Sequence, residues 1–336
     1  MSALIPLQFL NIISPYYCTI DPTTMQYNVQ NLVLQPFNQN KDLCPINPNK
    51  DTIFRAYTST NPDTPTILRT GDVAALQQSG ITNSKCLVVY LHGFMASPDS
   101  PNSQNFKNAI LNSAGCNVIL VDNKGLLSAP DYFTAIGNIK PIAEFTATFL
   151  DDLISKVGQM PLFLVGTSIG GHIAGVTSRK MTGTVSIAYG LDVAGPILDF
   201  LPEDSTIAKG DAKFVVLVHS NMFFFGSFRL AGDLDIFVNN GIIQLNCFIA
   251  FITTPTTPLP KVVLCSHLTS VAMMTKGMSN PTRYPMTKCS SFAEPIMGPC
   301  AVPSSVYFAD YFIENSPLLG ESGIRRIDTT DTTLSA

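Results

Sequence analysis

The stretch Leu162-Phe163-Leu164-Val165-Gly166-Thr167-Ser168-Ile169-Gly170-Gly171-His172 constrains the fold more than any other part of this 336-residue chain. An apolar run feeds a Gly-x-Ser-x-Gly turn that opens onto a helix of small residues. A serine on a sharp strand-to-helix turn is forced to expose its hydroxyl, and the flanking glycines are needed because a Cβ there would collide with neighbouring backbone. Leu162 to Val165 reads as a buried parallel strand. Ile169, Gly170, Ala174 and Gly175 give the following helix a smooth face that can sit close on a sheet.

The segments around this turn alternate in type. Strands are expected at Thr52 to Thr58, Lys85 to Leu91, Asn117 to Val121, Val185 to Tyr189 and Lys213 to Val218, with a turn through Asn61-Pro62-Asp63. Helical patterns run from Ser103 to Ser113 and from Ile139 to Val157, and a His92-Gly93-Phe94 loop follows the second strand. Such alternation implies an α/β architecture, a mostly parallel central sheet with helices on both faces. Residues 1–48, rich in Asn, Gln and Pro, read as an N-terminal extension, 49–320 as one domain and 321–336 as a tail; the last third of the chain is proline-rich and looks irregular.

Composition narrows the function classes. With 46% hydrophobic and 13% charged residues the chain can bury a sizeable core. Its net charge of −4, with scattered Lys and Arg, leaves no basic stripe for nucleic acid. No uninterrupted apolar stretch reaches about 18 residues, so no transmembrane span is expected and the high apolar content points to surface kept for interfacial contact. Met1 to Ser14 is apolar but lacks a basic n-region and is interrupted by Pro6, Gln8 and Asn11, which leaves it a signal-segment candidate. Eight cysteines permit a full disulfide set, and an extracellular location is expected, although no Asn-x-Ser/Thr sequon occurs. Cys86 and Cys116 fall in expected core strands, where buried free thiols would be equally ordinary, and their pairing with Cys18 and Cys44 is left open.

A serine hydroxyl needs a base within hydrogen-bond reach and a third group to orient that base. In the order Ser, acid, His, two of the four histidines, His219 and His267, lie far enough along the chain to serve. Asp192 follows the strand after the serine helix and is the favoured acid; Asp122 and Asp211 read as structural or capping residues. Oxyanion donors are expected from the peptide N–H groups of Ile169, directly after the serine, and Phe94, in the His-Gly-Phe loop. No metal or organic cofactor is called for.

The segments His92-Gly93-Phe94, Gly166 to Gly175, Leu191-Asp192-Val193-Ala194-Gly195-Pro196, Asp211-Ala212-Lys213-Phe214-Val215 and Cys265-Ser266-His267-Leu268 together resemble the pancreatic-lipase family of α/β-hydrolases, which includes triacylglycerol lipases and phospholipases A1. The resemblance spans roughly residues 50 to 312. It implies an α/β-hydrolase fold with Ser168 as nucleophile, Asp192 as acid, His267 as base, and Phe94 and Ile169 as oxyanion donors. Thr167 and Ile169 stand where the family usually has His and Leu, and the family's tryptophan-containing feature after the Val-Asp strand is reduced to Asn123-Lys124-Gly125. The residues after His267 are too few for a β-sandwich, so the family's C-terminal lipid-binding domain is not expected.

Two apolar segments bear on the substrate. The segment between Cys247 and Cys265, with Phe248 and Phe251, is proline-punctuated, and a disulfide closing it would resemble the family's lid. Met222-Phe223-Phe224-Phe225 resembles the short second surface loop of phospholipases A1 and insect-type lipases. Phe223, Phe224, Phe225, Phe248 and Phe251 are therefore expected to bind a lipid substrate at a membrane or emulsion surface. In the family it resembles, short loops leave the groove open to phospholipid head groups, so the resemblance leans toward phospholipase A1, with triacylglycerol lipase close behind. A catalytically silent lipid-binding or yolk-like protein on the same fold, and a soluble carboxylesterase, are the rivals. Local spacing alone suggests a Cys289–Cys300 bridge.

Overall fold

The computed structural model describes residues 48–128, 132–253, 259–300, 302–308 and 316–331. The N-terminal segment, with its signal candidate and Cys18 and Cys44, lies outside these residues.

The strands are β1 Ile53–Thr58, β2 Asn61–Leu68, β3 Leu87–Leu91, β4 Asn117–Asp122, β5 Leu162–Thr167, β6 Ile187–Leu191, β7 Val215–His219, β8 Leu234–Val238, β9 Pro285–Lys288, β10 Val302–Tyr307 and β11 Gly323–Ile327. They form one 11-stranded sheet in the order β10-β9-β11-β8-β7-β6-β5-β3-β4-β1-β2. From β4 through β3, β5, β6, β7 and β8 to β11 all pairings are parallel. Antiparallel strands complete both edges, β1 and β2 on one side, β9 and β10 on the other. The α/β architecture expected from the alternation is the one observed.

Each central strand is buried on both faces, which is why β3, β4 and β5 read as continuous apolar runs. Side chains alternate across the sheet. Leu162 and Leu164 enter one core with helix α2, Ile139–Val157, and helix α3, Ile169–Lys180, whereas Phe163 and Val165 enter the other. That second core holds Phe106 from helix α1, Pro101–Ala109, and Val271, Met273 and Met274 from helix α5, Leu259–Ser279. Helix α4, Leu245–Thr253, packs on α5. Among the described residues no helix is long and apolar enough to cross a membrane.

Three expectations are corrected. The turn expected at Asn61-Pro62-Asp63 is the start of β2, and prolines are tolerated there because β2 is an edge strand. The last third is not irregular: α5 runs for 21 residues, its apolar periodicity diluted because Ser266, His267, Thr269 and Ser270 are among its buried residues. The boundary expected at residue 320 falls inside the sheet, because β11 pairs with β8 from Gly323↔Leu234 to Ile327↔Val238.

The cysteines resolve into bridges Cys86–Cys116, Cys247–Cys265 and Cys289–Cys300, with no free thiol among the described residues. Cys86 and Cys116 precede neighbouring parallel strands, and the Asn117 N–H donates to the Cys86 carbonyl at 2.9 Å, so the bridge staples the start of β3 to the start of β4. Replacing both Cys86 and Cys116 by alanine is expected to lower the free energy of unfolding by about 3–4 kcal/mol, the closure entropy of a loop of sequence separation 30, read as a fall in the urea midpoint.

Candidate active site

The parallel register brings the carboxyl ends of four strands to one level. Leu91 pairs with Gly166, Thr167 with Leu191, and Leu191 with Val218. The residues that follow, His92 to Phe94, Ser168, Asp192 and Ser220, therefore emerge side by side. The strand order reverses between β3 and β5, with β4 added on one side and β6 on the other, the topological switch point where open α/β sheets form their crevice.

Ser168 adopts φ 57° and ψ −128° at the β5–α3 turn, a conformation that costs a non-glycine residue roughly 1–3 kcal/mol. Glycine makes the turn sterically possible. A Cβ on Gly166 would lie 2.0 Å from the Gly170 carbonyl oxygen, and one on Gly170 would lie 2.2 Å from that of Leu91. Thr167 is buried, and its hydroxyl shares a 2.9 Å hydrogen bond with the Tyr90 phenol. Ile169 is the first residue of α3, so its peptide N–H is left without an intrahelical acceptor.

The His-Gly-Phe loop lies directly on the serine, since a Cβ on Gly93 would approach the Ser168 Cβ to 2.9 Å. His92 holds the loop: its Nδ1–H donates to the Gly93 carbonyl at 2.9 Å and its Nε2 accepts the Asn123 N–H at 3.2 Å. Burial pushes its ring pKa down, consistent with this neutral tautomer. Among the described residues, no hydrogen-bond acceptor faces the peptide N–H of Phe94 or that of Ile169.

Asp192, 1% exposed, sits at the tip of β6 with three donors on its carboxylate. His267 Nδ1–H donates to Oδ2 at 2.5 Å, and the N–H groups of Ser220 and Asn221 donate to Oδ1 at 2.6 and 2.9 Å. Gly226 covers the same carboxylate so closely that a Cβ there would stand 2.6 Å from either oxygen. With Nδ1–H committed to Asp192, the basic lone pair of neutral His267 lies on Nε2. The Phe225 ring stands edge-on against this imidazole, centroids 5.6 Å apart.

The other candidates fall elsewhere. His219, the second possible base, pairs with Asp235 at 2.9 Å. Burial alone would lower its pKa, but the Asp235 carboxylate, with Asp192 nearby, holds it above the ordinary value. Asp122 pairs with Arg55, and Asp211 accepts from Arg179 at 2.7 Å and from the Ala208 N–H at 2.8 Å. The backbone donors of Ser220 and Asn221 had no local sequence signal; only pairing of β7 with β6 puts them on Asp192.

The apolar segments divide. Met222 is fully buried, Phe225 is partly buried against His267, and Phe223 and Phe224 are 56% and 41% exposed. Phe223 stacks on Phe228, which meets the exposed Phe200 edge-on. The described residues of the segment closed by Cys247–Cys265 are helical: they belong to α4, with Phe248 43% exposed, and to the start of α5, and residues 254–258 between them lie outside the described residues. Phe251 lies on α4, and its side chain is outside the described residues.

His172, one turn beyond Ser168, is structural. Its Nε2–H donates to the Ala194 carbonyl at 2.8 Å and its Nδ1 accepts the Ile207 N–H at 3.2 Å, and burial lowers its pKa from 6.5 to about 4. The unfolded chain takes up a proton that the folded one refuses, so the stability contribution is complete above about pH 6.5 and is lost as pH falls toward 4. The stability advantage of wild type over His172→Asn is expected to shrink by about 3 kcal/mol across that window in urea unfolding at stepped pH.

Comparison with known proteins is consistent with this geometry. A family model described as Lipase matches residues 27–302. Pancreatic triacylglycerol lipase of Myocastor coypus is 29% identical over 282 residues, covering 78% of this chain and 61% of that protein. Lipase member H of Xenopus tropicalis is 26% identical, covering 73% and 52%, and pancreatic lipase-related protein 2 of Myocastor coypus is 25% identical, covering 73% and 55%. The chain thus spans 52% to 61% of the length of these relatives. With the family match running through the strand tips at Ser168 and Asp192 and the helix that bears His267, this chain belongs to the lipase family and is a distant relative of the pancreatic lipases.

Proposed function

We propose that this protein hydrolyses acyl esters of glycerolipids through an acyl-serine intermediate, with Ser168, Asp192 and His267 as its catalytic triad. The observation that carries this reading is the buried 2.5 Å hydrogen bond from His267 Nδ1 to Asp192, at the strand tip next to the strained serine turn. Ser168 Oγ attacks the acyl carbonyl carbon while His267 Nε2 takes its proton, and Asp192 stabilises the resulting imidazolium. The negative oxygen of the tetrahedral intermediate is held by the N–H groups of Phe94 and Ile169. Collapse expels the lipid alcohol with the proton from His267, and a water activated by the same base then releases the fatty acid. No step requires a metal or an organic cofactor.

The exposed Phe223, Phe224 and Phe248 support a lipid surface as the site of action, since each side chain buried there contributes on the order of 1.5–3 kcal/mol. The short segment between Cys247 and Cys265 favours phospholipase A1 over triacylglycerol lipase, and the disulfides fit an extracellular setting. Wild type is expected to release the sn-1 fatty acid from phospholipid vesicles faster than fatty acid from emulsified triacylglycerol, with Ser168→Ala slower by about 10⁵–10⁶-fold on either. Product analysis of the two proteins on both substrates checks this; equal inertness would move the silent lipid-binding reading to first place.

Replacing Phe223 and Phe224 together by serine is expected to cut activity on vesicles about 10-fold or more while leaving turnover of a soluble short-chain ester within about twofold. Parallel assays on the two substrates decide between an interfacial enzyme and a soluble carboxylesterase.

A further inference from the structure

Gln244, in the turn between β8 and α4, lies outside the triad yet bonds to the segments that carry both its acid and its base. Its side-chain N–H₂ donates to the Ser220 carbonyl at 2.8 Å and to the Val238 carbonyl at 3.1 Å, and its Oε1 accepts from Asn239 Nδ2 at 2.8 Å. Its backbone N–H donates to Ser266 Oγ at 3.1 Å, and its carbonyl accepts the N–H groups of Cys247 and Phe248 that begin α4. Ser220 supplies the 2.6 Å N–H bond to Asp192, and its hydroxyl donates to the His267 carbonyl at 3.4 Å. Ser266 immediately precedes His267 on α5.

We propose that Gln244 is a positioning residue for hydrolysis, clamping the Ser220 peptide that holds Asp192 to the Ser266–His267 step of α5. The proposal rests on the hydrolase reading above. Gln244, Ser220, Asn221 and Ser266 are all 0–1% exposed, so water does not replace a lost bond among them. The amide orientation is unambiguous: exchanging its oxygen and nitrogen would set Oε1 against two carbonyl oxygens and the NH₂ against the Asn239 donor. An apolar side chain of similar volume would fill the space but leave the Ser220 carbonyl unpaired, while the Val238 carbonyl would keep the Gly241 N–H at 2.8 Å. The Ser220 peptide would then be free to tilt, and with it the N–H that aims the Asp192 carboxylate at His267. Misplacement of catalytic groups by about 1 Å costs on the order of 10²-fold in rate.

The test compares wild type, Gln244→Leu, the isosteric Gln244→Glu, whose carboxylate offers no donor to Ser220, and Thr146→Val as a control. Thr146 is buried in α2, where its hydroxyl bonds only within the helix, to the Ile142 carbonyl at 2.7 Å, so its loss lowers stability away from the site. On a soluble p-nitrophenyl ester, both Gln244 variants are expected to lose about 10–100-fold in kcat with KM within twofold, and Thr146→Val to keep wild-type values. The far-downfield proton resonance of the His267–Asp192 bond, identified by its disappearance in His267→Ala, should broaden or vanish in the Gln244 variants and persist in Thr146→Val. If Gln244→Leu does not fold, Gln244→Glu decides. A folded Gln244 variant with wild-type kcat and an intact downfield resonance overturns the clamp alone. A wild type that neither hydrolyses ester nor is labelled at Ser168 by a phosphonate overturns the hydrolase reading and the clamp with it.

Discussion

The parallel pairing of β3, β5, β6 and β7 is the constraint on which the rest depends. Because the strands run in one direction and in register, the first residues beyond their carboxyl ends share one edge of the sheet. A serine, a carboxylate, a glycine loop and a pair of peptide donors, far apart in sequence, meet there without any one of them needing a special local conformation except Ser168 and Asp192. Those two have positive φ, 57° and 46°. The surrounding sheet and helices hold them there because close approach of α3 to the strands leaves no room for another arrangement.

The four histidines show how partners, not residue type, decide chemistry. His92 and His172 each accept a backbone N–H at one ring nitrogen and donate at the other, which fits only the neutral ring and makes them fixed struts. His219 is closed off by Asp235 and the Ser227 carbonyl. His267 alone has a carboxylate on Nδ1 at the strand tip next to Ser168. One helix meets both surroundings: α5 buries Met273 and Met274 in the core and presents His267 to Asp192.

The apolar surface follows the same division of labour. Along Met222 to Phe225 successive residues go to the core, to solvent and to the imidazole, because the turn is tied down by Asn221, whose backbone and side chain accept from Phe224, Phe225 and Gly226. The aromatic rings left outside, Phe223 stacked on Phe228 and Phe228 edge-on to Phe200, rise beside the carboxyl edge that carries Asp192. Apolar groups held exposed by a hydrogen-bonded turn would lose little conformational freedom on leaving water, which is what the proposed interfacial role asks of them.

The sequence by itself determined the elements whose signals are local. The serine turn, the apolar strands around it, the long helix from Ile139 and the His-Gly-Phe loop were legible because glycine sterics and hydrophobic periodicity act within a few residues of each other. Only the tertiary structure decided what depends on distant partners. It tied His219, which the residues alone left open beside His267, to Asp235, joined Cys86 to Cys116, turned part of an expected tail into β11, and placed the Ser220 and Asn221 peptides on the carboxylate. Those outcomes rest on strand register and burial across the whole sheet, and no window of neighbouring residues contains either.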